Sequence, residues 1–423
     1  MPSDTGCECH LALSSTAPRP PPYTRPLGLA TLDAVGSADG QAGAISPAEL
    51  RSARLAVTAV FFVNGALTAS WAPYIPRIKS DLELSARSLG FVLLALAFGA
   101  VAAMPGAGLM VERFGTRATL TGAVALGYVA LPFVLLAPSA PSLAAVLVVL
   151  GAATGVTDVA MNANGAAVEH RYGRPILSSL HALWSIGAFT AAGVTALMTA
   201  TGVPAEAHLI VASVVLGATG LVACSRLMPA AERAGDRPRG RSRPSRRVLG
   251  LTLVALASFL AEGAMNDWSA LYLRDSLGES ATIGAAGYAV FVGSMALMRL
   301  SGDRLTARLG RVPIVRAGAA LAGGALAFAL LAGHPLAAFA AFACLGIGLA
   351  NVFPLVVSAA SRTTSPSLAI ATVSTGGYAG VLIGPPLIGF AADATSLPVA
   401  LGLIVALCGL MAALAGLVRV TPA

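Results

Sequence analysis

The chain has 423 residues, of which 56% are hydrophobic and 11% are charged, and its mean hydropathy is +0.80. Soluble domains carry about 25% charged residues, so this composition excludes a water-facing surface of ordinary polarity and predicts a chain embedded in lipid. The net charge of +8 could suggest nucleic acid. However, the arginines are distributed as in an oriented membrane protein, so no nucleic-acid partner is expected.

The first 50 residues are rich in Pro, Ser, Gly and Ala and lack the apolar core of a secretory signal. This composition predicts a disordered cytoplasmic tail over residues 1–50, with a start codon placed too early as the alternative. Cys7 and Cys9 with His10 resemble half of a metal site, but no second half follows along the chain. We therefore expect neither a bound metal nor another cofactor.

Twelve apolar segments follow the tail. About 20 apolar residues in a helix span a hydrocarbon core of roughly 30 Å, whereas the strands of a membrane barrel are only about ten residues long. Helices and closed barrels satisfy every backbone group in lipid, so segments of this length predict an all-α integral membrane protein. The predicted spans are 54–76, 88–110, 116–137, 142–166, 176–200, 206–228, 248–272, 282–302, 312–333, 336–360, 367–391 and 397–418.

Arginine placement predicts the orientation of these spans. Almost every arginine falls in the terminal segments and in alternate loops, which positive charge keeps in the cytoplasm. Arg77, Lys79, Arg87 and Arg274 fall on the opposite side, and Arg299 lies within a span. The alternation predicts a multi-pass protein of the cytoplasmic membrane with both termini in the cytoplasm.

The first six spans and the last six repeat each other in parallel. For example, Phe61-x-x-Asn64 in the first span matches Phe259-x-x-Glu262 in the seventh. Parallel six-helix repeats are one known transporter design, in which the solute lies near the middle of the membrane between the halves. The predicted organisation is a tail at 1–50, a first half at 51–228, an Arg-rich cytoplasmic linker at 229–247 and a second half at 248–423.

A loop motif follows the second span. Residues 108–117 read GLMVERFGTR, and a degraded copy occupies residues 302–311. The motif resembles G-x-x-x-D-R-x-G-R-R, the loop signature of the major facilitator superfamily, with Glu in the Asp place and Thr in one Arg place. The resemblance covers residues 51–420 and implies the major facilitator fold of two pseudo-symmetric six-helix halves.

The loop motif also predicts a cytoplasmic gate. A carboxylate and arginines at helix ends can pair between helices in one state and separate in another, and glycine permits the tight turn between them. The alternative is that these charges only set the topology. The predicted gating residues are Gly108, Glu112, Arg113, Gly115, Arg117, Asp303, Arg304 and Arg308.

Three polar segments narrow the resemblance. Residues 158–165 and 262–269, together with His181-x-x-Trp184-Ser185, resemble the branch that contains the rhizopine-transport protein and, more distantly, fucose permeases. Fucose-type permeases have an acidic residue in the first span. This chain has Asn64 there, so the resemblance leaves the coupling residue open.

Polar side chains within the spans are the candidates for a solute and proton site. A charged residue in the middle of a span costs roughly 2.5–3.5 kcal/mol on insertion scales, so it is suspected of a function. Residues four apart share a helix face, whereas Asp267 lies about 140° around the helix from Glu262. The candidates are Glu262, Asp158, Asn162, Asn266, Asp267, His181, Trp184, Ser185, Asn351 and Asn64.

Two carboxylates are candidates for proton coupling. A buried carboxylate can take up and release a proton as access alternates, and we rank Glu262 first and Asp158 second. The alternative for each is an interhelical hydrogen bond that only fixes packing. Amides and carboxylates bind hydroxyl groups, and an aromatic face such as Trp184 can contact the C–H surface of a sugar or polyol.

These features predict a secondary transporter of a small hydroxylated solute, such as a sugar, polyol or inositol, that works by alternating access. Its expected partners are that solute, protons and the lipid bilayer, and we expect a monomer. The alternative is efflux of drugs or metabolites by proton antiport, and a remoter one is a sensor that transports nothing. The sequence has no Ser–His–acid set and no soluble catalytic domain, so it does not predict an enzyme.

Overall fold

A computed structural model describes residues 46–84, 86–228 and 244–420. Most of the predicted tail and linker, with Cys7, Cys9 and His10, lies outside these residues. Ser46 caps the first helix, which begins at Pro47, so residues 47–50 are helical rather than part of the tail. Likewise, Ser245 caps a helix that begins at Arg246, two residues before the predicted end of the linker.

The regular secondary structure of the described residues is entirely helical. We number the long helices 1 to 12 along the chain. They are Pro47–Ser70 (helix 1), Ala86–Ala130 (helices 2 and 3), Ala140–Tyr172 (4), Leu177–Ala200 (5), Ala205–Ser225 (6), Arg246–Leu271 (7), Ala281–Leu309 (8), Arg311–Ala332 (9), Pro335–Leu349 with Val352–Ala360 (10), Pro366–Ala394 (11) and Leu397–Leu414 (12). Short helical turns connect or extend them at Ala72–Tyr74, Ile75–Asp81, Phe133–Leu136, Tyr272–Ser276 and Ala415–Val418.

The helix count agrees with the predicted twelve spans. Within the described residues, ten helical segments are long and apolar enough to cross a membrane. One of them, Ser88–Leu136, bends at Gly115 and therefore provides helices 2 and 3. Helix 8, Ala281–Leu309, stands at the predicted eighth span and completes the twelve. The prediction of an all-α membrane fold is confirmed.

The internal repeat is visible in the backbone of the two matching loops. Gly115 has φ 82° and ψ 163°, and Gly310 in the degraded copy has φ 85° and ψ 163°. Residues with a side chain rarely adopt positive φ of this kind, so each loop needs its glycine. The same reversal thus joins helix 2 to helix 3 and helix 8 to helix 9.

Glycines let helices cross closely within each half. In the first half, a Cβ added at Gly65 of helix 1 would collide with the Trp184 carbonyl, and one at Gly187 of helix 5 would collide with the Phe62 carbonyl. In the second half, a Cβ at Gly380 of helix 11 would collide with a carbonyl of helix 7. Small residues at such crossings are how membrane helices pack, because lipid provides no hydrophobic drive between them.

Adding one methyl group at the crossing of helices 1 and 5 is expected to destabilise the first half. In Gly187→Ala the new Cβ meets backbone, which cannot rotate away, so overpacking should cost about 1–3 kcal/mol. Gly193→Ala, on the same helix, is the control because nothing lies within 4 Å of its Cβ position. Alanine favours helix, so this control should be neutral or slightly stabilising. Equal melting midpoints in detergent for the two variants would contradict the close crossing.

Candidate functional site

Three of the candidate residues form a hydrogen-bonded chain between helices 4 and 5. The Asn162 amide donates from Nδ2 to the backbone oxygen of Asp158 at 2.9 Å and to Asp158 Oδ1 at 3.3 Å. On its other side, Asn162 Oδ1 lies 3.2 Å from His181 Nε2. Asn162 therefore links the carboxylate to the imidazole, and all three side chains are buried.

The second half approaches the same carboxylate through helix 11. The side chains of Ser374 and Tyr378 lie close to Asp158. Asp158 Oδ2 and Ser374 Oγ are nevertheless buried without an aligned partner. Asp158 is 4% exposed and takes part in none of the ion pairs among the described residues. It is thus a half-satisfied carboxylate between the two halves with no paired cation.

Aromatic rings continue this contact across the bundle. The His181 ring meets Phe61 of helix 1 at 5.2 Å between centroids and Phe353 of helix 10 at 5.6 Å. Phe353 meets Phe259 of helix 7 at 4.5 Å, and Phe259 meets Tyr378 at 5.8 Å. The rings form a continuous aromatic layer that both halves contribute beside the polar chain.

A second polar cluster surrounds Arg299 of helix 8. Its Nη1 donates to Ser185 Oγ of helix 5 at 3.0 Å, and its Nε donates to the Ala350 carbonyl of helix 10 at 3.4 Å. Its Nη2 lies 3.7 Å from Glu262 Oε2 of helix 7. Arg299 therefore contacts both halves and is the cationic partner of Glu262.

The local sequence explains why the Ala350 carbonyl is free to accept. In a continuous helix it would bond the backbone N–H of residue 354, which is Pro354 and has none. Helix 10 is broken at this point, with Asn351 at φ −105° and ψ 0°. Arg299 Nε donates to the Ala350 carbonyl, which Pro354 leaves without a backbone partner.

The other candidates lie around these two clusters. Asn351 is buried with both amide atoms unpartnered, and its Oδ1 lies against Gly302 at the crossing of helices 8 and 10. Asn64 is buried with Oδ1 unpartnered, whereas Trp184 is partly buried at the crossing of helices 1 and 5. Asn266 and Asp267 are exposed, farther along helix 7 than Glu262.

At the end of the bundle where the arginine-rich loops lie, the halves are bonded together. Asp303 of helix 8 accepts hydrogen bonds from the backbone N–H groups of Ser178 at 2.9 Å and Ser179 at 3.0 Å. The first N–H groups of a helix have no partner within it, and helix 5 has no side-chain cap at Ile176. A carboxylate of the second half therefore caps a helix of the first half.

A second carboxylate holds the same helix start. Glu169, near the end of helix 4, accepts from the backbone N–H groups of Ile176 at 3.0 Å and Leu177 at 3.2 Å. The second half reaches it through Arg311, whose Nη2 is 3.4 Å away, and through the hydroxyl of Ser358. We call Asp303, Glu169, Arg311 and Ser358 the inter-half latch.

The predicted gating residues are only partly in the latch. Gly108 packs on helix 11, where its Cβ would lie 3.1 Å from the Ser367 carbonyl, and Asp303 bonds across the halves. Glu112 makes none of the ion pairs seen among the described residues, so the pairing of carboxylate and arginine at residues 112–117 is not formed in this conformation and stays a prediction. Fixed backbone N–H groups at a helix start bind a carboxylate without ordering a long side chain, which favours the latch over exposed pairs. The exposed members of the predicted set are Glu112, Arg113, Arg117, Arg304 and Arg308.

Several residues at these clusters were not among the candidates. Arg299 carried a signal, because an arginine within a span is unusual in lipid, whereas Glu169 lies beyond the predicted fourth span, 142–166, and carried none. Ser374, Tyr378 and Ser358 carried none, since hydroxyl residues are common in membrane helices and their importance comes from what lies opposite them.

Comparison with known proteins extends over most of the chain. A family model described as Major Facilitator Superfamily matches residues 57–368. An uncharacterised MFS-type transporter of Yersinia pestis is 37% identical over 355 residues, which cover 83% of this chain and 92% of the relative. The membrane protein MosC of Rhizobium meliloti is 33% identical over 365 residues, covering 84% and 88%. These matches confirm the resemblance to the superfamily and to its rhizopine-related branch.

Solved structures share the fold. The transporter FucP in its outward conformation superposes with a TM-score of 0.73 at 15% identity, covering 87% of this chain and 98% of FucP. The proton:xylose symporter XylE superposes with a TM-score of 0.64 at 14% identity, covering 86% and 95%. The predicted arrangement of two six-helix halves is confirmed.

Proposed function

The chain belongs to the major facilitator superfamily of membrane transporters, and we propose that it carries a small hydroxylated solute together with protons by alternating access. The observation that carries this proposal is the position of Asp158. It is a buried carboxylate without a cation, bonded to Asn162 in its own half and beside Ser374 and Tyr378 of the other half. A site shared by the halves must change whenever they rock against each other.

The chemistry around Asp158 suits a sugar, polyol or inositol. Carboxylate, amide, imidazole and hydroxyl groups donate to and accept from solute hydroxyls, and the neighbouring aromatic layer can pack against the C–H surface of a ring. FucP and XylE are named as sugar transporters driven by protons. At 14–15% identity they share the fold, so the solute class is argued from the site itself.

The environment of the two carboxylates supports Asp158 as the proton carrier. Glu262 has Arg299 as a neighbour and keeps a charged partner when ionised. Asp158 has no such partner, so binding a proton removes a buried, unpaired charge and lets the halves separate or close around a neutral group. The first choice made from the sequence, Glu262, is therefore replaced by the second.

The inter-half latch supports the proposal that the structure is in an outward-open conformation. If the arginine-rich loops are cytoplasmic, the bonded end is the inner end and the site opens outward. Asn266 and Asp267, which lie beyond Glu262 on helix 7, are then exposed on the outer side. The arginine bias of the loops supports our proposal that both termini are cytoplasmic and that the protein lies in the cytoplasmic membrane.

The proposed function is tested by binding followed by transport. Purified protein is screened for thermal stabilisation against sugars, polyols, inositols and common drugs. The best solute is then offered to proteoliposomes with and without a pH gradient, inside alkaline. We expect stabilisation by a hydroxylated solute and accumulation that collapses with a protonophore. Stabilisation by apolar drugs alone, or uptake indifferent to the gradient, contradicts the proposal.

A further inference from the structure

Arg299 is fixed in place before any solute arrives. Side chains on a helix tilt toward its N-terminus, so Arg299 points away from the latch and toward the middle of the bundle. The rigid Ala350 carbonyl holds Nε, and Ser185 Oγ, which itself bonds the His181 carbonyl at 3.2 Å, holds Nη1. A guanidinium held on two sides loses little freedom when it binds a third group.

Most of the hydrogen-bonding capacity of this pair is unused. A guanidinium has five N–H groups, and those at Ala350 and Ser185 account for two of them. Glu262 approaches at 3.7 Å, which is an ion pair but too long for a hydrogen bond, and its carboxylate accepts no hydrogen bond from a described side chain. The side chains of Arg299 and Glu262 are 12% and 26% exposed, so neither is sealed inside the protein.

We infer that Arg299 is a specificity-determining residue that, with Glu262, binds neighbouring hydroxyl groups of an uncharged solute. One hydroxyl donates to the Glu262 carboxylate while the next accepts from Arg299 Nη2, a match that a vicinal diol fulfils at both positions. The inference rests on the proposed function, because it names which hydroxylated solutes that site accepts.

Charge balance gives the pair its selectivity. The charges of Glu262 and Arg299 cancel, so a neutral solute leaves them compensated. An added carboxylate would place two anions beside one guanidinium, and an added ammonium would place two cations beside one carboxylate. Removing either member of the pair should therefore shift the preference toward the probe whose charge is opposite to the charge that remains.

The test compares four probes of matched size on purified protein: glucose, myo-inositol, glucuronate and glucosamine. Dissociation constants are measured by thermal stabilisation for the wild type, Glu262→Gln and Arg299→Gln. Wild type is expected to bind a neutral probe at least about tenfold more tightly than either charged probe. Relative to glucose, Glu262→Gln should gain about tenfold for glucuronate, and Arg299→Gln should gain about tenfold for glucosamine.

Asp275→Asn is the matched control, because it removes the charge of an exposed ion pair outside the site and should keep the wild-type preference ratios. If Arg299→Gln does not fold, Glu262→Gln alone still tests the sign of the change. Unchanged affinity ratios relative to glucose in both charge variants overturn the inference and leave the proposed transport function standing. A wild type that prefers glucuronate or glucosamine also overturns it, as does a response to none of the four, whereas the proposed solute class is tested separately by the wider screen.

Discussion

Asp158→Asn is expected to abolish solute accumulation driven by a pH gradient. With one proton per solute, a gradient of about one pH unit sustains a roughly tenfold solute gradient. The variant should fill proteoliposomes only until the concentrations inside and outside are equal. Asparagine keeps the shape and one oxygen acceptor for Asn162 but cannot exchange a proton, so exchange of solute across the membrane should survive.

The measurement is uptake of radiolabelled solute at an imposed pH difference, with the membrane potential clamped. Asp275→Asn is a matched control, because Asp275 is an exposed carboxylate at the end of helix 7 that pairs with its neighbour Arg274. The control should accumulate solute as the wild type does. Full accumulation by Asp158→Asn would show that its proton is not coupled to transport, and Glu262 would then be the carboxylate to test.

The type of residue and its position within a span predicted which polar side chains belong to the candidate site, but not which side chains of other helices they contact. Asp158, Asn162 and His181 were recognisable because such groups are costly in a span, and helical spacing placed the first two on one face. The proximity of Asp158 to Ser374 and Tyr378 depends on how helix 11 is packed against helix 4. No local pattern encodes that packing.

We now propose Asp158 rather than Glu262 as the proton carrier, and the reason is again a contact between helices that the sequence does not show. Glu262 and Asp158 look alike as isolated acids in spans, and the difference between them is a partner on another helix, Arg299. That partner is fixed by a distant proline, since Pro354 frees the Ala350 carbonyl that anchors the guanidinium. Three separate helices thus determine the state of one carboxylate.

For the predicted gating residues, the sequence indicated the local backbone well but not the contact between the halves. The glycine turns at Gly115 and Gly310 were readable in the motif, because few other residues adopt positive φ. The motif also drew attention to Asp303. It did not reveal that the partner of Asp303 is the start of helix 5, since backbone N–H groups have no sequence signature.

Asp303→Asn is expected to move the protein from its latched state toward the state that is open at the arginine-rich end. A hydrogen bond to a charged group is worth about 1.5–3 kcal/mol, and the aspartate accepts two from helix 5. The amide keeps one acceptor oxygen and loses the charge that favours a helix N-terminus. A net loss of about 2 kcal/mol shifts the ratio of the two states roughly 25-fold.

The shift can be measured as the distance between spin labels at Arg171→Cys and Arg308→Cys, two exposed positions at that end in opposite halves, in a background free of native cysteines. A longer distance should become dominant in Asp303→Asn. Asp393→Asn, near the far end of helix 11, should leave the distribution unchanged. Unaltered distances in Asp303→Asn would mean that the capping contact does not hold the state.

The second carboxylate of the latch makes this result interpretable. Glu169 lies in the same half as helix 5, so its bonds to Ile176 and Leu177 do not have to break when the halves separate, whereas its contacts with Arg311 and Ser358 do. Glu169→Gln should therefore shift the equilibrium in the same direction as Asp303→Asn. For a solute that binds only the latched state, the apparent dissociation constant equals the intrinsic dissociation constant divided by the fraction of protein in that state. Both variants lower this fraction, so both should also weaken binding of solute from the side of the membrane opposite the arginine-rich loops.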